Sequence, residues 1–347
     1  MGATVSSDVN LPDPSPVIDL IEAFRRSKTM FTALTLGVFE ELHESWASAC
    51  AVAESLGTHP GATAQLLDAC AALGLLHKSE ERYRNNPVAD AYLWSGSPHS
   101  LGGYIEYSDQ ALYPMWGNLA SAVKESGHRW TQTFGLEGPL FNHFFRTPEA
   151  QRAFLRGMHG FGMLSSPRVV RAFDLSGYRR LADLGGATGH LAIAACEQYP
   201  EMRAIVFELP GPAAMAREQV ALSPARDRLQ VMEGDFFTDA LPAADLYALG
   251  RILHDWTEDK IARLLSKIFD ALPAEGALLV AEKLLHDDGV GPVSANMQSL
   301  NMLVCAEGRE RTLGEYRLLL RDAGFAKVEG WRTGGPLDAI LAVKGTN

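Results

Sequence analysis

Residues 181–191, LADLGGATGHL, set a carboxylate and three glycines at the seam between an apolar run and a helical one. The run ends in Asp183, and Gly185, Gly186 and Gly189 follow as a turn without side chains. Such a turn lets a nucleotide-like ligand lie against main-chain N–H groups at a helix N-terminus. The pattern is not the dinucleotide G-x-G-x-x-G, and an ordinary tight βα turn could carry the same glycines. Later strand ends add weight to the ligand reading. AIVFELP (204–210) brings Glu208 and Leu209 to its carboxyl end, where an acid can accept both hydroxyls of a ribose. RLQVMEGDFF (228–237) ends in Asp235 and Phe236, a carboxylate for an exocyclic amine and a ring to lie against adenine. DLYALGRILHDW (245–256) ends in Arg251, His254 and Asp255, and GALLVAEKLL (276–285) carries Glu282.

The elements that must position these groups are five apolar runs alternating with helical stretches. They predict an α/β domain with a Rossmann-like sheet whose strand ends bind the ligand. Before it, residues 16–174 show helical patterns and almost no strand signals. Residues 17–42 form one long amphipathic stretch with Ile18, Ile21, Phe24, Leu34 and Phe39 among its apolar positions. Two short helices at 50–56 and 61–75 lead into GLLHKSEERYRNN (74–86), which reads as a small β-wing. Helix-helix-wing docks on DNA in other proteins. Here the wing alternates Lys78, Glu80, Glu81, Arg82 and Arg84, which favours dimerisation.

Composition narrows the class further. The chain has 347 residues, room for two domains, with 47% hydrophobic and 21% charged residues. A net charge of −11 argues against a nucleic-acid partner. No apolar run is long enough to span a bilayer. MGATVSSDVNLPDPSP reads as a polar, proline-rich arm without a signal peptide's apolar core, and its match to the loose N-myristoylation pattern is ascribed to chance. The four cysteines lack C-x-x-C spacing, which predicts reduced, mostly buried thiols, a cytoplasmic location and no zinc site.

In order, DLGGATG, VFELP, GDFF, RILHDW, LLVAEKLL and EGRERT resemble the S-adenosylmethionine-dependent O-methyltransferases of small phenols, the plant caffeate and flavonoid type. Within them the chain is most similar to the hydroxyindole (acetylserotonin) branch, through SLNMLVCAEGRERT (299–312), AGF (323–325) and PLDAILAVK (336–344). TLGVFEEL (35–42) and YPMWGNLASAV (113–123) extend the resemblance over nearly the whole chain. It implies a class I methyltransferase sheet at 177–347, an N-terminal all-α, winged-helix-like dimerisation domain at 16–110, and a helical linker at 111–176 contributing to the substrate pocket. It also implies a homodimer, S-adenosylmethionine as cofactor, S-adenosylhomocysteine as product, no metal, and a small aromatic substrate.

Methyl transfer from a sulfonium needs an in-line acceptor, a base for the acceptor's proton, and exclusion of water. His254 is the natural base, set against a merely packed strand-end histidine. The resemblance places Glu282 and Glu310 beside it, where a carboxylate orients the ring. Asp183, Gly185, Gly186, Glu208, Leu209, Asp235, Phe236 and Arg251 are assigned to the cofactor, and Asp255, Asn301 and Met302 to the substrate; the resemblance itself turns Arg251, Asp255 and Asn301 toward the substrate. Arg251 pins a carboxylate or a substrate polar group, or else pairs with Asp255 or Glu282. Asp255 accepts from a substrate N–H, or else caps the helix starting at Thr257. Met302, Met297 and Met163 supply adaptable apolar surface or simple core. Tyr104, Tyr107, Tyr113, Trp116 and Phe134 clamp a ring or pack a domain interface.

Two departures stand out. Glu208 stands where relatives usually have aspartate. GMHGFGMLSS (157–166) has small residues around Gly162 where relatives place a bulky aromatic, which predicts a wider pocket with Phe161 compensating. Acceptors bearing nitrogen or sulfur, and a non-methylating reaction of a cofactor-binding fold-mate, stay open as alternatives.

Overall fold

The computed structural model describes residues 11–346. The myristoylation pattern and the first ten residues of the expected arm lie outside them, and the arm's last two residues, Ser15 and Pro16, already belong to a helix. The chain divides into two compact units at Ser97/Pro98.

In the first unit, α1 (Ser15–Leu36) starts with proline at its first turn and ends at Gly37. Gly37 has φ 87°, a left-handed conformation that glycine adopts without a Cβ penalty. The expected single stretch to residue 42 is therefore broken, and Val38–Glu41 forms a separate turn of helix. Val17, Ile18, Leu20, Ile21 and Phe24 are each at least half exposed, whereas Phe31 and Ala33 are buried. After α2 (Ala49–Leu56) and α3 (Pro60–Ala72), the strands Leu76–Ser79 and Arg82–Asn85 form the expected wing hairpin. Ala47–Ser48 adds a third strand on the Arg82–Asn85 edge, so the expected wing is a small antiparallel sheet beside the helices.

The second unit is built on seven strands: β1 (Arg180–Leu184), β2 (Arg203–Glu208), β3 (Leu229–Glu233), β4 (Leu246–Gly250), β5 (Ala277–Glu282), β6 (Lys327–Trp331) and β7 (Asp338–Val343). They lie in the order β6-β7-β5-β4-β1-β2-β3, and β7 is antiparallel to both its neighbours. The other pairings are parallel. The order reverses at β1/β4, where an open α/β sheet leaves a crevice at its carboxyl edge. Central strands read as continuous apolar runs because both faces are covered. Tyr247, Leu249, Leu278 and Val280 enter one core; Leu246, Ala248, Leu279 and Ala281 enter the other. Among the described residues, the longer helices of this unit are α4 (Pro148–Val169), α5 (His190–Gln198), α6 (Pro210–Leu222), α7 (Glu258–Ala271), α8 (Val293–Cys305) and α9 (Leu313–Asp322), preceded by short helical turns between Gly102 and Phe144. Among the described residues no helix is long and apolar enough to cross a membrane.

Candidate active site

The glycine turn joins β1 to α5. Gly185 has φ 66° and Gly189 φ 80°, both left-handed. A Cβ on Gly186 would stand 2.8 Å from the Asp183 carboxyl carbon, so this turn closes over the β1 end only without side chains. Asp183 Oδ2 accepts from Ala192 N at 3.3 Å and so ties α5 to β1. Glu208 accepts from Ala187 N at 2.8 Å and from its neighbour Leu209 N at 2.7 Å. The longer acid therefore bridges its own strand end to the glycine turn. Burial lifts the Asp183 and Glu208 carboxyls to about 7 each. Asp235 Oδ1 accepts from Phe237 N at 2.8 Å.

These strand ends line a cavity of about 570 Å³. Asp183, Gly185 and Gly186 contribute from the first turn, Glu208 and Leu209 from the second, Asp235 and Phe236 from the third, and Arg251 from the fourth. Arg251 has φ 59°, strained for a residue with a side chain. Its N–H donates to Ala281 O at 2.9 Å, and its guanidinium lies 5.5 Å from the Phe161 ring centroid. Its Nη1 is buried without a hydrogen-bond partner, so the expected alternative of a structural pair with Asp255 or Glu282 leaves this nitrogen unused. A buried, unspent guanidinium at a cavity wall fits a ligand carboxylate.

His254 sits on the turn Leu253–Asp255 after β4 and is buried. Its Nδ1 lies 2.6 Å from Glu310 Oε1 and 3.2 Å from Glu282 Oε2. Glu282 Oε1 accepts from the backbone N–H groups of Ile252, Leu253 and His254 at 3.1, 2.9 and 3.3 Å, which fixes the turn itself. Burial raises Glu282 to about 7 and Glu310 to about 8. The proton of this 2.6 Å contact is shared between Nδ1 and Glu310, and with Glu310 accepting, Nε2 carries the lone pair. The ligating atoms of His254, Glu282 and Glu310 lie within 4.8 Å of one another, a spacing that metal sites share. Glu282 Oε1 is taken by three backbone N–H groups and Glu310 Oε1 by the 2.6 Å contact at Nδ1, while Oε2 of each carboxyl is buried without a hydrogen-bond partner.

His254 opens onto a second, tight cavity of about 40 Å³, lined also by Asp255, Asn301 and Met302. Arg251, Asp255, Phe141, Phe154 and Met158 line both cavities and mark their junction. Asp255 Oδ1 is 3.7 Å from His254 Nε2, and burial raises its carboxyl to about 7. The cap of α7 is Thr257 without a side-chain bond, so Asp255 does not serve there. Asn301 is held from both sides: Oδ1 accepts from Trp116 Nε1 at 2.9 Å, and Nδ2 donates to Cys305 Sγ at 3.5 Å. Tyr104 and Tyr107 line the small cavity; Tyr113 is exposed, and Phe134 packs on Trp130. Met302 lines this cavity, Met297 is half exposed, and Met163 lines neither cavity.

The expectation of a wider pocket at Gly162 is corrected. A Cβ there would come within 2.2 Å of the His190 ring, so the imidazole already fills the space beside α4. Ser166 Oγ holds His190 Nδ1 at 2.8 Å, and burial drives His190 down to about 3, keeping it neutral. Sequence reasoning also missed Phe141, Phe144, Phe154 and Met158, which wall the small cavity. Their helical spacing resembles ordinary core, and no motif announces them.

Sheet order, glycine turn and crevice together define a class I, S-adenosylmethionine-dependent methyltransferase. Residues 116–326 match the O-methyltransferase domain model, and residues 18–95 match the O-methyltransferase dimerisation domain. The chain belongs to this O-methyltransferase family. It is 42% identical to acetylserotonin O-methyltransferase of Bos taurus, over 92% of this chain and 95% of the relative. It is 38% identical to that of Gallus gallus, over 98% and 100%. The structure of human N-acetylserotonin methyltransferase in complex with SAM superposes with a TM-score of 0.92 at 35% identity, covering 99% of this chain and all of the other.

Proposed function

We propose that this enzyme methylates the hydroxyl of a small hydroxyindole-like aromatic, with His254 as the base. The observation that carries the reading is the 2.6 Å contact between His254 Nδ1 and Glu310 Oε1, beside a cavity walled by aromatic rings. S-adenosylmethionine, when bound, supplies a methyl group on a sulfonium. Asp235 and Phe236 hold its adenine, Glu208 its ribose, and the unspent Arg251 Nη1 its carboxylate; the about 570 Å³ cavity has room for it.

The chain's own residues do the rest. Glu282 pins the turn, and Glu310 keeps the proton on Nδ1. Nε2 is then free to take the acceptor's proton as its oxygen attacks, and both carboxylates stabilise the imidazolium that forms. Tyr104, Tyr107, Phe144 and Met302 exclude water and press on a flat ring. Asp255, at the junction, accepts from a ring or amide N–H of the acceptor. Asn301, fixed by Trp116 and Cys305, shapes the wall. The exposed apolar face of α1 and the matched dimerisation domain support a homodimer. Free cysteines, three of them buried, support a cytoplasmic place of work.

The test is product mass spectrometry with S-adenosylmethionine and a panel of hydroxyindoles, simple phenols, flavonoids, indole thiols and indole amines. The reading expects S-adenosylhomocysteine together with an O-methylated hydroxyindole as the fastest product. Preference for a thiol or amine, or cofactor binding without any methylated product, contradicts it.

A further inference from the structure

Glu282 and Glu310 come from segments far apart in sequence, and a short parallel ladder sets them side by side. Arg311–Thr312 pairs with Leu284–Leu285, with Arg311 opposite Leu284. From that ladder the Arg311 side chain reaches the turn that carries His254. It is 1% exposed. Its Nη1 donates to Leu253 O at 3.3 Å and to Arg309 O at 3.0 Å. Leu253 immediately precedes the base, and Arg309 immediately precedes Glu310. On its other edge, Nη2 and Nε donate to Glu258 Oε1 at 2.9 and 3.2 Å. Glu258 stands in the first turn of α7, directly after the His254 turn.

We propose that Arg311, held by Glu258, is a positioning residue that sets the His254–Glu310 contact by clamping the backbone on both sides of it. It lines neither of the two cavities and acts only through that pair. A guanidinium suits the task because one rigid plane donates along two edges at once; an ammonium on a flexible stem cannot hold both carbonyls and the carboxylate in one geometry. Glu258 compensates a charge that would otherwise be buried alone. Its own side chain is 53% exposed, so its carboxylate can be removed without opening the core.

The proposal rests on the base reading above, and a double-mutant cycle separates the two. Turnover, acceptor KM and S-adenosylhomocysteine affinity are measured for Arg311→Lys, Glu258→Gln, Glu310→Gln, and the doubles Arg311→Lys/Glu310→Gln and Glu258→Gln/Glu310→Gln. Misplacing a catalytic pair by about 1 Å costs about 10²-fold. Arg311→Lys is expected to lower kcat by up to about that factor, and Glu258→Gln by less, with KM and cofactor affinity unchanged. Once Glu310 is Gln, neither substitution should slow the enzyme further, because each acts through that carboxylate. Losses that multiply with that of Glu310→Gln overturn the clamp. Losses confined to KM or cofactor affinity, or wild-type kcat in both single variants, also overturn it. Should Arg311→Lys fail to fold, the Glu258 arm of the cycle decides on the same criteria. Wild-type turnover in Glu310→Gln would overturn the base reading and the clamp together.

Discussion

The two cavities of this site are built by opposite strategies. The large one is read mostly by backbone and strand ends: a glycine turn, Glu208 bridging Ala187 and Leu209, Asp235 closing its own loop. Its polar groups are largely satisfied within the protein, so it is formed before any ligand arrives. The small one is walled by side chains from distant helices around a buried charge cluster, and it has about 40 Å³ against about 570 Å³. On the proposed reading, one end is preorganised to bind and the other to hold a proton. Variants at the two ends should therefore separate affinity from turnover.

The widest separation comes from His254→Ala. General-base catalysis contributes about 10²–10⁴-fold, so kcat should fall by that much while S-adenosylhomocysteine affinity, measured by calorimetry, stays unchanged. Glu310→Gln keeps a hydrogen bond to Nδ1 but removes the charge facing the imidazolium. It should cost about 10–10²-fold in kcat, less than removing the ring. Loss of cofactor affinity in either variant would break the division between the ends.

Glu208→Ala should show the converse. Losing a charge-assisted bond worth about 1.5–3 kcal/mol weakens S-adenosylhomocysteine about 10–100-fold and leaves kcat at saturating cofactor nearly intact. Gly162→Ala is expected to be milder in turnover. Its Cβ must displace His190, an overpacking cost of about 1–3 kcal/mol, seen as a lower unfolding midpoint in calorimetry.

The smallest effect is one of pH. Burial holds Asp255 and Glu282 at about 7 and Glu310 at about 8, above the unfolded range near about 4. Groups raised in this way stabilise the fold fully below the unfolded values, and that contribution is lost as pH rises through the folded ones. The unfolding midpoint of the ligand-free protein should fall as pH is raised through that window, and fall less in Glu310→Gln. A midpoint that rises over the window would contradict the buried placement of these carboxyls.

The same contrast governs what could be read from sequence. The binding end was legible because each strand end is a short contiguous run, and Asp183, Glu208 and Asp235 sit at the carboxyl ends of apolar segments. β6 and β7 were not recognised as strands. KVEGW has a glycine and alternating polar residues typical of an exposed edge, and β7 runs antiparallel, outside the alternating helix–strand rhythm. At the acceptor end His254 and Asp255 were visible in HDW, but Phe144, Phe154 and Met158 are ordinary helix residues until the fold folds them over the base. Gly162 misled for a related reason. A glycine in a helix signals close approach, and only the folded chain shows that the approaching group is His190 rather than a ligand.

The central claim is that His254 takes the acceptor's proton. The direct test compares wild type with His254→Ala on a series of phenolic and hydroxyindole acceptors of decreasing pKa at fixed pH, reading single-turnover methyl transfer. The account predicts a rate gap that is large for weakly acidic hydroxyls and closes as the acceptors become ionised in solution. A gap that stays the same across the series would contradict it, assigning His254 to packing rather than proton transfer.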